Sequence, residues 1–443
     1  MESQGVKQLP VGDGYRGIWY FCNGLKGPHK YKYSGGLGTY CAKHVPLACH
    51  AAEAETTFFC YGGRPRGANR LLHMIARYDH RTGRVCRPRV LLDKQTDDAH
   101  DNAVMLLDDE GYIYVFSSSH GTARPAYISR SAEPYCIDAF ERIYSQNFSY
   151  PQPWHIPGSG ILWLHTLYRD GRRLLHWTTS RDGRNWPDEP RPLAAIENGH
   201  YQVSWRCGRK VGTVFNYHPS AGLDARTNLY YLQTEDFGQS WQSVAGETVP
   251  TPLTEVDSPA LVHDFRSEGR RVYLKDLNFD AEGNPIALVL TSGGFEPGPA
   301  NAPRLWTTLH WSGGQWRIRA GIESDSNYDT GCLHVEGDGS WRLIAPTEDG
   351  PQPYNPGGEM VLWRSADQGE SWRKLRDITS GSEFNHTYAR RPVNAHRDFY
   401  AFWADGHGLR PSESRLYFCN ADGDALRLPT KMRDEWAEGE PIN

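Results

Sequence analysis

Two histidines, His100 and His120, stand at equivalent ends of one stretch, DDAHDNAVMLLDDEGYIYVFSSSHG (Asp97 to Gly121). Between them, AVMLL and YIYVFSSS are apolar and β-rich runs around an acidic turn that ends in Gly111, the sequence form of a hairpin. A hairpin folds its ends together, so the spacing predicts two imidazoles side by side at one rim of a sheet. Such a pair suits general acid–base chemistry. The spacing is not that of a helical zinc motif, and no Glu stands where one would be needed. A second reading is open on this stretch alone, in which both histidines bond loop backbone.

Further candidates follow along the chain. Tyr150 precedes the Pro-led strand entry SYPQPWHIPGSGILWLHTLYRDG, and Arg169 lies near that segment's turn, an arrangement that would put a phenol and a guanidinium at one sheet edge. In NGHYQVSWRCGRKVGTVFNYHPSAGLDART, Tyr201 and Asn216 to His218 flank another hairpin, much as the two histidines do, and Arg206, Tyr217 and Arg226 add polar groups nearby. Cys207 and His218 are conceivable metal ligands, although loop-satisfying polar groups fit the same residues. SDSNYDTG contributes Asn327 and Tyr328, and EFNHTYARRP contributes His386, Arg390 and Arg391. An arginine there could grip an acidic sugar bidentately, with only one of two adjacent strand residues able to point at it.

These residues need a scaffold, and composition says which. The 443 residues include 45 Gly, 29 Pro, 15 Trp and only 5 Met, and long Ala/Leu/Glu/Lys runs are scarce. Strands and turns are expected rather than helices. A format recurs: apolar run, Gly/Asp/Asn turn, apolar run, polar connection. It predicts stacked four-stranded sheets. Thr234 to Trp241 (TEDFGQSW) and Ser365 to Trp372 (SADQGESW) share the pattern Ser/Thr-x-Asp-x-Gly-x-x-Trp, with a shortened SRDGRNW from Ser180. The Asp and Gly make a tight turn and the Trp packs between sheets. Blades of about 60 residues would allow roughly seven in one domain spanning 1–443. The last dozen residues read as a polar tail or a short closing helix.

The net charge of −5 with scattered charges offers no footprint for nucleic acid. Nine cysteines without a C-x-x-C pair suggest mostly free thiols. No stretch reads as a signal peptide or a membrane span, so no membrane partner is expected, and localisation is left open between a cytoplasmic chain and a periplasmic or secreted one.

The boxed turns resemble the Asp boxes of sialidase-like and BNR-repeat propellers. DAHDN, SSSHGT, SYPQP, LYRDG and GHYQ together resemble the BNR-repeat polysaccharide lyases, the ulvan-lyase-like seven-bladed propellers and the related rhamnose–glucuronate lyases. The resemblance runs from DGYRGIWY near the N-terminus to SRLYFCN. It implies an all-β, seven-bladed propeller of four-stranded antiparallel blades, with His100, His120, Tyr150, Arg169 and Tyr201 around a uronate. The interval from Tyr150 to Arg169 is a few residues longer than in that pattern, which makes Arg172 and Arg173 alternatives. Asn102, Arg206, Tyr217, His218, Arg226, Asn327, Tyr328, His386 and Arg391 are the expected substrate-binding groups.

The implied reaction is β-elimination at a 4-linked uronic acid, and the resemblance favours L-rhamnose-α-1,4-D-glucuronate bonds of an anionic oligo- or polysaccharide as the substrate. It needs a base for the C5 proton, a partner for the uronate charge, and an acid for the leaving O4. His100 and Tyr201 are assigned as the proton-transfer pair, His120 as assisting base or carboxylate partner, and Arg169 with Tyr150 as carboxylate binders. No organic cofactor is required, and a structural metal ion is compatible with the chain. Two other classes fit the architecture: a sialidase-like glycoside hydrolase, which would need a Tyr nucleophile or paired carboxylates, and a non-catalytic carbohydrate-binding propeller.

Overall fold

Alternating apolar runs broken by Gly, Asp and Asn turns fold into consecutive antiparallel sheets arranged as a seven-bladed β-propeller. The computed structural model describes residues 4–220 and 222–442, and among them there is no α-helix, only three single 3₁₀ turns. The innermost strands are Ala48–Ala51, Ala103–Leu107, Ser149–Ile156, Gln202–Cys207, Arg271–Phe279, Cys332–Val335 and Asn385–Arg390 for blades 1 to 7. Each opens its blade and each is followed by antiparallel neighbours. The N-terminal ends of all seven therefore meet at one mouth of the central channel, together with the loops that enter each blade and those joining second to third strands.

Blades 3 to 6 have four strands each, and blades 1, 2 and 7 gain more. Gln4–Gln8 pairs with Ala139–Gln146 on the outer edge of blade 2. Residues 432–442 form neither a loose tail nor a helix, which corrects the expectation from composition. Trp436–Glu438 pairs with Arg84–Cys86 of blade 1, and Glu440–Pro441 pairs with Ala425–Arg427 of blade 7. One short segment thus staples the last blade to the first and covers edges that would otherwise offer unpaired backbone.

The boxed turns are built as their residues require. Asp236 accepts the backbone N–H groups of Gln239 and Ser240 and the hydroxyls of Thr234 and Ser240, and Asp367 repeats the pattern with Ser365 and Ser371. Gly238, at φ +80°, lies so close to Trp177 of the preceding blade that a Cβ would sit 2.6 Å from its Nε1. Only glycine meets both demands. Trp241 then packs edge-on against Trp177 at 5.5 Å. Buried Trp side chains of this kind each remove about 150–250 Å² from water, worth on the order of 4–6 kcal/mol as an upper figure. All nine cysteines are free. No helix among the described residues is long and apolar enough to cross a membrane.

One element lies outside the blades. Trp19–Gly24 and Tyr31–Gly36 form a two-stranded hairpin ahead of blade 1. It reaches across the mouth of the channel. Lys32 pairs with Asp224 of blade 4, Ser34 Oγ donates to the Gly408 carbonyl of blade 7, and Tyr33 meets His100 of blade 2.

Candidate active site

The hairpin expected between the two histidines is present, with Ala103 opposite Ser117 and Leu107 opposite Ile113. His100 lies in the 3₁₀ turn Ala99–Asp101 just before the inner strand, and His120 follows the second strand. Their rings stack with centroids 4.0 Å apart and planes 17° from parallel. One carboxylate holds both. Asp98 Oδ1 accepts from His100 Nδ1 at 2.5 Å and Oδ2 from His120 Nδ1 at 2.8 Å, while Oδ1 also accepts the His100 backbone N–H. Burial opposes ionisation of Asp98, but the hydrogen bonds from the two imidazoles outweigh it and hold its carboxyl well below the usual range.

This clamp fixes the tautomers. With Nδ1–H spent on Asp98, each imidazole presents Nε2 as a lone pair. His100 is buried and its Nε2 takes the Tyr33 hydroxyl at 2.6 Å, with Tyr33 linked in turn to Tyr40 at 2.8 Å. Burial lowers His100 to about 4, so it is neutral near pH 7. His120 is about one-third exposed, and its Nδ1 is the ring nitrogen that meets Asp98. Asp101 braces the same turn. It accepts the His120 backbone N–H at 2.6 Å and the Arg124 guanidinium at 2.7 Å, with Lys94 3.4 Å away.

Aromatic contacts lead from the histidines toward blades 3 and 4. Tyr150 lies 6.4 Å from His100 and 5.6 Å from Tyr201, ring to ring. It sits at φ +52° where the pairing of its strand shifts register, a conformation costly for a bulky side chain and worth about 1–3 kcal/mol of strain. Burial raises the phenols of Tyr150 and Tyr201 above their ordinary value, the latter against the opposing pull of Arg226 and Arg173. Three cations surround Tyr201: Lys43 at 4.4 Å, Arg226 at 5.0 Å and Arg173 at 5.9 Å from its ring centroid. His218 stacks edge-on at 4.9 Å and accepts from Arg173 at 3.0 Å. Lys43 is itself lowered by burial to about 8. Three positive groups thus converge on the Tyr201 ring, with the Asp224 carboxylate 4.0 Å from Arg226.

Arg169 does not join this group. It lies at the turn between Gly160–Arg169 and Arg172–Ser180, exposed and 3.9 Å from Glu189. Strand alternation explains why: Tyr168, its neighbour, turns inward to within 6.1 Å of His120, so Arg169 must turn outward. Arg172 is occupied by the carbonyls of Glu197 and Ala195. Arg173 occupies the position at Tyr201.

The expected binding residues divide in the same way. His218, Arg226 and Tyr328 belong to the cationic and aromatic group, with the Tyr328 ring tilted against that of Tyr33 at 4.2 Å between centroids. Asn102 donates to the carbonyls of Leu37 and Tyr40, and Asn327 to Gly294, so their amides brace the loops behind the site. Tyr217 is buried and accepts from Arg266 at 2.9 Å, and His386 accepts from Trp403 within blade 7. Arg390 and Arg391 are both saturated by protein: Arg390 by the carbonyls of Cys41 and His44, Arg391 by Asp276 at 2.9 Å while stacking on Trp205 at 3.3 Å. Arg206 lies at the far end of its inner strand and lines a cavity of about 610 Å³ on the opposite mouth, with Trp154, His155 and Asp109. That cavity is not lined by His100, His120, Tyr150 or Tyr201. Cys207 and His218 stand at opposite ends of one hairpin and cannot share an ion.

Asp98, Tyr33, Lys43 and Tyr168 escaped the sequence reading. Asp98 had a local signal, a carboxylate two residues before His100. Tyr33 and Lys43 arrive from chain far removed in sequence and had none. Asp98, His100 and His120 also lie close enough together to ligate a cation. As arranged, their Nδ1 atoms and the His100 Nε2 are engaged in internal hydrogen bonds.

Known proteins are similar to this chain over much of its length. An ulvan lyase of Nonlabens ulvanivorans is 24% identical over 324 residues, covering 64% of this chain and 66% of that protein. An ulvan lyase, PL25, of Pseudoalteromonas sp. (strain PLSV) is 20% identical over 288 residues, covering 55% and 58%. The chain thus spans about two thirds or less of the length of these two relatives. Among solved structures, a PL25 ulvan lyase superposes with a TM-score of 0.71 at 18% identity over 94% of this chain and 96% of its own, and the polysaccharide lyase Uly1 with a TM-score of 0.63 at 10% identity, covering 94% and 100%. At these identities the superpositions speak for the fold. The model of the BNR repeat-containing family matches residues 68–322, more than half the chain. The chain belongs to the BNR repeat-containing family.

Proposed function

We propose that this chain is a polysaccharide lyase that breaks the bond to O4 of a uronic acid by β-elimination, acting on L-rhamnose-α-1,4-D-glucuronate linkages. The observation that carries the reading is the adjacency of two devices: an Asp98-anchored histidine pair and a tyrosine ringed by Lys43, Arg173 and Arg226. Hydrolysis of a glycoside usually wants paired carboxylates, whereas elimination wants cations for a carboxylate and neutral proton carriers. The likeness to ulvan lyases supports the substrate class, and one superposing PL25 structure is bound to -[GlcA(1-4)Rha3S]-.

In this reading the uronate carboxylate lies against Lys43, Arg173 and Arg226, which offset its charge and that of the enolate-like intermediate. His120, with Nε2 free and its orientation set by Asp98, takes the C5 proton. Tyr201, kept protonated by burial, gives its proton to O4 of the leaving sugar, and Tyr150 is placed to relay between Tyr201 and the histidines. His100 transmits the position of Tyr33 and Asp98 rather than meeting substrate directly.

The test incubates the full chain with ulvan and with rhamnose-capped plant gum while following ultraviolet absorbance of the conjugated 4,5-unsaturated uronate. Absorbance should rise, and His120→Ala and Tyr201→Phe should each lower turnover on the order of 10²–10⁴-fold. New reducing ends without absorbance would identify a hydrolase, and binding without either would identify a binding propeller; both results overturn the reading.

A further inference from the structure

A second histidine cluster lies at the other mouth of the channel, where blade 7 meets blade 1. His50 belongs to the inner strand Ala48–Ala51, His80 follows Leu72–Asp79, and His396 and Asp398 lie in the connection after Asn385–Arg390. The three rings crowd together: His80 to His396 is 3.9 Å between centroids, His50 to His80 is 4.9 Å, and His50 to His396 is 5.0 Å. One donor atom each from His80, His396 and Asp398 lie within 4.8 Å of one another.

The hydrogen bonds leave the right atoms over. Thr57 Oγ1 engages His80 Nε2 at 2.8 Å, and the other nitrogen, Nδ1, is buried with no partner. A buried imidazole nitrogen without a partner is costly. A metal-bound histidine commonly donates its other ring N–H to an oxygen, as His80 Nε2 can to Thr57 Oγ1. His396 Nδ1 accepts the Asp398 backbone N–H at 3.2 Å, which frees its Nε2. Nitrogen-rich donors with one carboxylate suit zinc-like ions rather than calcium or magnesium.

We propose that His80, His396 and Asp398 form a binding site for a divalent transition metal ion of the zinc type that clamps blade 7 to blade 1, its fourth position filled by water or by His50, which lies outside that three-residue set and would have to rotate in. Tetrahedral zinc with ligands at about 2.0–2.1 Å needs donors about 3.4 Å apart, so side-chain rotation must draw these groups somewhat closer. The clamp would act where the ring is otherwise joined by the C-terminal staple and by the His50 N–H donating to the Val393 carbonyl at 2.9 Å.

The full chain, stripped with a chelator and dialysed, is titrated with zinc chloride by calorimetry and with cobalt(II) by visible absorbance. One equivalent should bind, with d–d bands of a tetrahedral nitrogen–oxygen site and no thiolate charge-transfer band. The unfolding midpoint should rise by several degrees with zinc and not with calcium or magnesium. His396→Ala and Asp398→Asn, both at partly exposed positions where folding is retained, should each weaken binding at least tenfold and abolish the midpoint rise. Absence of uptake overturns the proposal. So does uptake that survives unchanged in both variants, which would place the ion at Asp98, His100 and His120 or on thiols.

Discussion

At the scale of single residues, the candidate site depends on Asp98 more than on either histidine it holds. Its two oxygens select the Nδ1–H tautomer in both rings, and so leave Nε2 of His120 as the only unengaged imidazole nitrogen of the pair. Asp98→Asn is nearly isosteric but carries one acceptor and one donor. One imidazole must then lose its partner or flip to the other tautomer. Turnover should fall by about 10²–10⁴-fold, chiefly in kcat, with the β-sheet circular dichroism unchanged. Retention of wild-type turnover in Asp98→Asn would remove the carboxylate from the mechanism. Arg173 teaches the complementary lesson. Its type and approximate position were legible, but choosing among Arg169, Arg172 and Arg173 required the strand phase, and a shift of one residue moves a side chain to the other face.

At the scale of elements, the Asp-box turns and the hairpin from Ala103 to Ser117 could be read from sequence because their interactions are local. Asp236 and its partners span seven residues, and the histidines are separated by one hairpin. The cover formed by Trp19–Gly24 and Tyr31–Gly36 could not. Its contacts with His100, Asp224 and Gly408 join residues 67, 192 and 374 apart in sequence, and nothing within the hairpin encodes them. The same holds for the C-terminal staple, whose polar composition reads as a tail because its partners are the edges of other blades. The cover has a testable role. Tyr33→Phe removes the O–H that His100 Nε2 accepts, leaving a buried acceptor unpaired at a cost of about 1–3 kcal/mol. Thermal unfolding should shift down accordingly, and turnover should drop on the order of 10–100-fold, as for loss of an outer partner of a functional histidine. An unchanged midpoint together with unchanged turnover would reduce the cover to a passive flap.

At the scale of the whole molecule, the channel stores histidines in the wrong protonation state for acid. Burial holds His44, His200 and His386 down at about 3 and His100 at about 4, against 6.5 in the unfolded chain. Below pH 6.5 the unfolded chain therefore binds protons that the folded chain refuses, and stability falls as pH is lowered toward the folded values. At pH 4.5 each of these four groups costs about 3 kcal/mol, together roughly 10 kcal/mol, comparable with the entire stability of a typical domain at 5–15 kcal/mol. Carboxyls raised by burial act in the opposite sense. Asp325, raised to about 6, adds stability as it protonates below that value, about 2 kcal/mol at pH 4.5. Asp329 and Asp405 are raised as well. Depressed carboxyls such as Asp98 contribute stability only while ionised, so they reinforce the acid sensitivity at lower pH still. The lowered histidines, which also include His73, His165, His218 and His334, outnumber the raised carboxyls, and the buried tryptophans of the blades report on the net effect. Tryptophan fluorescence should show cooperative unfolding between pH 6 and 4, with the midpoint moving to lower pH when His386→Gln removes one titrating group. A chain that keeps its native emission at pH 4, with the same urea midpoint as at pH 7, would mean that these histidines accept protons within the fold.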